Sequence, residues 1–124
     1  MKKILLPAVI LTLLIACNSN DSKEKGETNS NDITKNADYQ KGLALVSKND
    51  CFTCHKIDEP LTGPPYRDVA NKYANMPDTI VTYLAKKVIS GGNGNWGAIF
   101  MLPHPGISLD DAKAMVKYIL LLKK

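Results

Sequence analysis

Cys51-Phe52-Thr53-Cys54-His55 is the stretch on which the reading of this chain turns. Two thiols three residues apart, followed directly by an imidazole, are what covalent attachment of a c-type haem requires. Each cysteine captures one of the macrocycle's two vinyl groups as a thioether, and His55 stands where it can ligate the iron from the proximal side. Five residues make a short motif, so the surrounding sequence has to agree with it.

Upstream, Lys2 and Lys3 precede an apolar run over residues 4–16 that ends Leu14-Ile15-Ala16-Cys17. A charged start, a greasy middle and a small residue before a cysteine read as a bacterial lipoprotein signal. The expectation is that residues 1–16 are removed and that Cys17 becomes a lipidated N-terminus. An uncleaved membrane span is the competing reading, but thirteen residues interrupted by Pro7 fall short of the roughly twenty that cross a bilayer. The three cysteines then divide into one for lipid and two for haem, leaving none for a disulfide. Both modifications belong to exported bacterial proteins. The expected location is extracytoplasmic, with the chain anchored at a membrane and its folded domain facing the periplasm or the cell exterior.

Loss of residues 1–16 leaves 14 basic against 12 acidic residues, close to neutral before haem propionates are counted. Nucleic acid is not an expected partner, since that would call for a concentrated basic face with aromatic platforms. After Cys17 the composition turns to Asn, Ser, Lys, Glu, Asp and Thr, with Ile33 the only large apolar side chain over residues 18–37. Such a stretch buries too little surface to offset its ordering entropy and reads as a flexible tether over residues 17–37. Its r.m.s. reach is roughly 25 Å, against an extended limit of about 70 Å.

Residues 38–124 hold everything that can fold, and their apolar spacing is helical. A first helix is predicted over 38–48, with Tyr39, Leu43 and Val46 on one side, delivering the chain to the cysteine motif. A short one is predicted over 67–74. A third follows Pro77, with Ile80, Val81, Leu84 and Val88 on one face, and stops at Gly91-Gly92. The last starts after Ser108, which forms an S-x-x-D capping pattern with Asp111, and turns Ala112, Met115, Val116 and Ile119 inward. No strand run is convincing, so the expected class is all-α, three to four helices around one haem. The porphyrin would itself supply core that so short a chain cannot build, which couples folding to the cofactor.

An iron that only passes electrons needs a sixth ligand. The candidates are Met76, Met101, Met115 and His104. Met115 lies on the inward stripe of the last helix and Met76 at a helix start, where packing explains both. Met101 falls in an expected loop fifty residues beyond Cys51 and is favoured, with His104 as its rival.

Taken in order, Cys51-Phe52-Thr53-Cys54-His55, Gly63-Pro64-Pro65-Tyr66-Arg67-Asp68-Val69-Ala70, Gly92-Asn93-Gly94-Asn95-Trp96-Gly97, Met101 and Asp110-Asp111-Ala112 leading to Lys117-Tyr118-Ile119-Leu120 resemble the short bacterial class I monohaem cytochromes c. The resemblance covers nearly all of residues 38–124. It implies a small cytochrome c fold with one covalent haem c, Cys51 and Cys54 as thioether donors, His55 as proximal ligand and Met101 as distal ligand. It further implies that the Pro64 carbonyl accepts from the His55 ring N–H and that the Trp96 indole donates toward a haem propionate. Gly42 and Tyr118 resemble the family's contact between first and last helices. One departure stands out: Leu102 follows the methionine where the family commonly has proline, before Pro103-His104-Pro105.

The implied activity is one-electron transfer in a respiratory chain with both axial positions filled, the work of a monomeric carrier and not of an enzyme. The implied donor is a quinol-oxidising complex and the implied acceptor a terminal oxidase or another reductase. Lys86, Lys87, Lys41, Lys56 and Arg67 are candidates for the rim of a docking face, with ordinary solvated charge as the alternative. Two readings from other classes compete. A membrane-tethered thiol-disulfide oxidoreductase would use Cys51 and Cys54 as a redox pair, but that chemistry usually follows a strand in a βαβ unit. A zinc site from Cys51, Cys54, His55 and His104 would place two ligands on adjacent residues, awkward for one tetrahedron.

Overall fold

The computed structural model describes residues 32–124. The expected signal over residues 1–16, the lipidation of Cys17 and the tether as far as residue 31 lie outside the described residues. Four helices carry the fold: α1 (Ala37–Lys48), α2 (Tyr66–Tyr73), α3 (Thr79–Ser90) and α4 (Leu109–Leu121). Each begins within two residues of the position that periodicity and capping predict.

Local chemistry sets the helix ends. The Asn36 side chain accepts from the amides of Asp38 and Tyr39 at 2.8 and 3.3 Å, satisfying two of the unpaired donors that open α1. Ser108 does the same for Asp111 at 3.1 Å, with Asp110 and Asp111 favourably placed at the positive end of α4. Helix α3 stops at Gly91, whose φ of 66° suits a residue without a Cβ.

Two features depart from the sequence expectation. The segment before α1 is ordered through Asp32, where a 3-10 turn over Ile33–Lys35 is capped by the Asp32 side chain. Local side-chain bonds make that turn, which apolar content does not register. The chain after α3 also forms an antiparallel hairpin, β1 (Gly92–Gly94) and β2 (Gly97–Met101), with Gly92 opposite Met101. Glycines hide such a hairpin, since β1 has almost no side chains to alternate.

Helix α4 is the centre of the fold and packs against α1, α3 and α2. Its inward residues Ala112, Met115, Val116 and Ile119 are all buried, as their spacing predicts. One cluster joins Val46, Tyr66, Ala70, Met115, Tyr118, Ile119 and Leu122. The other joins Ala85, Ala112 and Val116, with Val81, Leu84, Val88, Ile89, Ile107 and Leu120 packed partly buried against it. Meanwhile Leu61, Ile99, Phe100 and Leu102 are exposed, Leu102 by 70%. Such distribution suits a chain whose core is completed by an apolar group of its own.

Candidate haem site

Helix α1 ends at Asn49, whose side-chain amide donates to the Leu45 carbonyl at 2.8 Å. Asp50 then takes a left-handed conformation, φ 56°, and turns the chain into a 3-10 helix over Cys51–Thr53. In that geometry residues i and i+3 eclipse, so Cys51 and Cys54 share a side, as capture of two vinyl groups on one porphyrin edge demands. Both are free thiols. Burial pushes the Cys51 thiol above its ordinary pKa.

His55 follows at once, its amide bonded to the Cys51 carbonyl at 3.1 Å. Its Nδ1 lies 2.8 Å from the Pro64 carbonyl oxygen, the contact the resemblance implied. A carbonyl can only accept, so Nδ1 carries the proton and Nε2 keeps its lone pair for a metal. The Gly63 amide donates to the Cys54 carbonyl at 2.7 Å, which brings the loop against the imidazole. A Cβ at Gly63 would collide with the Cε1 end of the ring and sit 2.7 Å from Nδ1. The Tyr66 ring stacks on the imidazole with centroids 4.9 Å apart and planes 12° from parallel. Phe52 packs edge-on against Tyr66 at 5.9 Å. Sequence reasoning quoted Gly63 and Tyr66 within a motif and gave them no role. The signal was their position eight and eleven residues beyond His55, uninterpretable until the loop folds back.

Met101 ends β2 and is partly buried, not in a plain loop as expected. Its carbonyl lies against Gly91, where a Cβ would also come within 2.8 Å of the Pro103 nitrogen. The His104 amide donates to the Ile89 carbonyl at 3.0 Å. The segment bearing Met101 and Leu102 is thus held to the end of α3 at both sides, with no proline directly after the methionine. Of the rival sulfurs, Met115 is in the core at 1% exposure and Met76 is 46% exposed before α3.

Trp96 sits at the hairpin turn. The Lys72 ammonium lies 4.5 Å from its ring centroid and donates to the Asn95 carbonyl at 3.0 Å, while Tyr73 meets the indole edge-on at 6.3 Å. Trp96 is 41% exposed and lies outside both buried clusters.

Among the described residues no three His, Cys, Asp or Glu side chains converge, so the zinc reading fails because Cys51, Cys54, His55 and His104 do not form one donor set. Two members of the suggested docking rim are engaged internally: Lys56 pairs with Glu59 at 2.9 Å, and Arg67 grips Asp58 while donating to the Leu122 carbonyl. That guanidinium holds the Asp58 carboxyl below its ordinary pKa.

The residues present fit a covalent haem: two free thiols at eclipsed spacing, an imidazole whose remaining nitrogen is unencumbered, and apolar side chains left exposed nearby in sequence to a partly buried thioether. The family model for cytochrome c matches residues 39–123.

The chain belongs to the cytochrome c family.

Relatives agree. The chain is 44% identical over 79 residues to cytochrome c-552 of Nitrosomonas europaea, covering 64% of this chain and 76% of that protein. It is 41% identical over 81 residues to cytochrome c-551 of Allochromatium vinosum, covering 63% and 82%. The crystal structure of the Nitrosomonas europaea cytochrome c552 superposes with a TM-score of 0.61 at 43% identity, over 65% of this chain and 99% of that one. This cytochrome c therefore has the all-α fold expected and carries one covalently attached haem c with its iron. Its function is that of an electron carrier. No helix among the described residues is long and apolar enough to cross a membrane.

Proposed function

We propose that this cytochrome c is a monomeric, lipid-tethered one-electron carrier of an extracytoplasmic respiratory chain, with Cys51 and Cys54 as haem thioethers, His55 as proximal ligand and Met101 as distal ligand. The observation that carries it is the 2.8 Å contact of His55 Nδ1 with the Pro64 carbonyl, next to two free thiols in one 3-10 turn. That contact orients the ring and raises the donor strength of Nε2.

When bound, the haem would supply a one-electron ferric/ferrous couple, and Met101 as a thioether ligand would favour the reduced form. The chain's own residues do the rest. Cys51 and Cys54 fix the group to α1 through the 3-10 turn. Pro64, Gly63 and Tyr66 hold the His55 ring in one orientation, and the Gly91 contact together with the His104 amide holds the segment that bears Met101. Trp96, steadied by Lys72, would offer its indole N–H to a propionate. With His55 and Met101 both holding the iron, no position would remain for a substrate, which supports a carrier over an enzyme.

The signal pattern of residues 1–16 and the lone Cys17 support a lipid anchor, and the polar stretch after it supports a tether that keeps the domain at one membrane surface. A quinol-oxidising complex as donor and a terminal oxidase or reductase as acceptor fit a carrier so placed. The thiol-disulfide reading is not favoured: a helix precedes the cysteines, the described residues hold no βαβ unit, and relatives are named cytochromes.

The test is production with a haem maturation apparatus, followed by intact mass, visible spectrum and redox titration. One haem per chain that survives acid-acetone extraction and a Met101→Ala variant with altered spectrum and lower potential are expected. No added haem mass would overturn the reading. Release of the chain from membranes by Cys17→Ser tests the anchor separately.

A further inference from the structure

Helix α1 keeps one chemical character along its solvent side. Ala37, Gln40, Lys41, Ala44, Ser47 and Lys48 are all exposed, at the spacing of a single helix face opposite the wall where Gly42 meets α4. That face carries two lysines, no carboxylate and no bulky apolar side chain. Asp38, the one acidic residue of α1, lies off it, where Lys117 of α4 reaches its carboxylate at 3.2 Å. The turn before the helix extends the face with Lys35 and with Ile33, which is 42% exposed and outside both buried clusters. Asp32 and Asp50 bound the face at its two ends, and Asp32 is turned to its own backbone, accepting from the Thr34 amide at 3.1 Å. Among the described residues no salt bridge forms at Lys35, Lys41 or Lys48.

We propose that this face of α1, with Lys35 and Ile33, is a membrane-contact surface: it rests on anionic phospholipid headgroups and turns α3 and the hairpin that bears Met101 away from the membrane.

The inference rests on the lipid anchor at Cys17, as proposed above. Fourteen residues, 18–31, separate that cysteine from Asp32, so the anchored domain stays within about 50 Å of the bilayer even with this stretch fully extended. The chain enters the domain at the end of the basic face, through a turn held by the Gln40 side-chain amide on the Thr34 carbonyl at 3.0 Å. Contact between face and membrane is then an intramolecular event, for which a few lysines suffice because the anchor already supplies the encounter. Each lysine near an anionic surface adds attraction that fades within a Debye length, and an exposed isoleucine between headgroups adds buried apolar area. The orientation follows from α4. Ala114 and Tyr118 meet α1, whereas Ala112 and Val116 cluster with Ala85 of α3, and residues two apart on a helix stand on opposite walls. With α1 down on the membrane, α3 and the hairpin after it face outward, toward a redox partner.

The test does not need native lipidation. The haem-loaded chain from residue 17, carrying Cys17→Ser, is held by an N-terminal hexahistidine tag on vesicles with a nickel-chelating lipid, in phosphatidylcholine alone or mixed with phosphatidylglycerol. Acylation of each lysine by an uncharged reagent is followed by mass spectrometry. Lys35, Lys41 and Lys48 are expected to react about fivefold more slowly on the vesicles with phosphatidylglycerol, and high salt should abolish the difference. Lys86, exposed on α3, should react equally on both. The Lys41→Glu, Lys48→Glu double variant should lose the protection of Lys35, its haem absorbance reporting that it is folded; if it takes up no haem, the rates in the parent decide. Equal rates at the three lysines on both vesicles would overturn the proposal and leave Lys41 to a protein partner. Slowing shared equally by Lys86 would overturn it too, since no face would then be preferred. Failure of the anchor reading would show separately, as membrane retention unchanged by Cys17→Ser in the untagged chain.

Discussion

Gly42 of α1 and Tyr118 of α4 meet where no side chain fits between them. A Cβ at Gly42 would collide with the Tyr118 Cβ and with the Ala114 carbonyl, both on one wall of α4. Missing bulk lets the helices approach, and the approach aligns the rest: Tyr39 meets Tyr118 edge-on at 5.0 Å, and Lys117 reaches Asp38 at 3.2 Å. Since α1 leads straight into the cysteine motif, this crossing places the Cys51–Thr53 turn against the core. A mid-helix glycine that costs about 0.5–1 kcal/mol in an isolated helix is retained here by packing.

Replacing Gly42 by Ala should therefore destabilise the haem-loaded protein by about 2 kcal/mol or more, the range of overpacking, although alanine is the better helix former. Denaturant unfolding measures it. A stabilised Gly42→Ala variant would show that the crossing is looser than described.

The Gly63 contact carries a prediction about the cofactor. An added methyl must displace the His55 ring, stretching its 2.8 Å bond to Pro64. Gly63→Ala should lower haem incorporation and shift the midpoint of whatever is loaded, read from the haem-to-protein ratio and a redox titration. Parent-like values for both would remove Gly63 from the site.

Tyr118 is fully buried, and its hydroxyl finds no partner among the described residues. Burial pushes its pKa up to about 12 from an ordinary 10.0. Below pH 10 folded and unfolded chains both hold this proton. Above it the unfolded phenol ionises first, so the contribution fades as pH rises toward 12. Tyr118→Phe should raise stability at neutral pH by about 1 kcal/mol, because an unpaired buried hydroxyl is removed. Its advantage over the parent should widen between pH 10 and 12. Equal denaturation midpoints at both pH values would contradict this.

Folding should depend on haem. Ile99, Phe100 and Leu102 are exposed, with no protein core to enter. The Cys51→Ala, Cys54→Ala double variant is expected to lack a cooperative thermal transition by circular dichroism, whereas the haem-loaded parent melts sharply. A cooperative melt of the haem-free variant would refute the coupling.

The cysteine motif, the four helices and their inward faces were legible in the sequence because each depends on residues close along the chain. Thiol spacing, 3.6-residue periodicity and caps such as Asn36 and Ser108 act over one or two turns. Tertiary structure alone decided what stands around His55. The Pro64 carbonyl, the Gly63 backbone and the Tyr66 ring come from a loop that folds back on the motif, and the Lys72–Trp96 stack joins residues 24 positions apart. The hairpin before Met101 was also invisible, since its glycines carry no pattern. Local signals name the atoms proposed to bind the cofactor; how they are held depends on contacts between segments whose distance in space no spacing rule encodes.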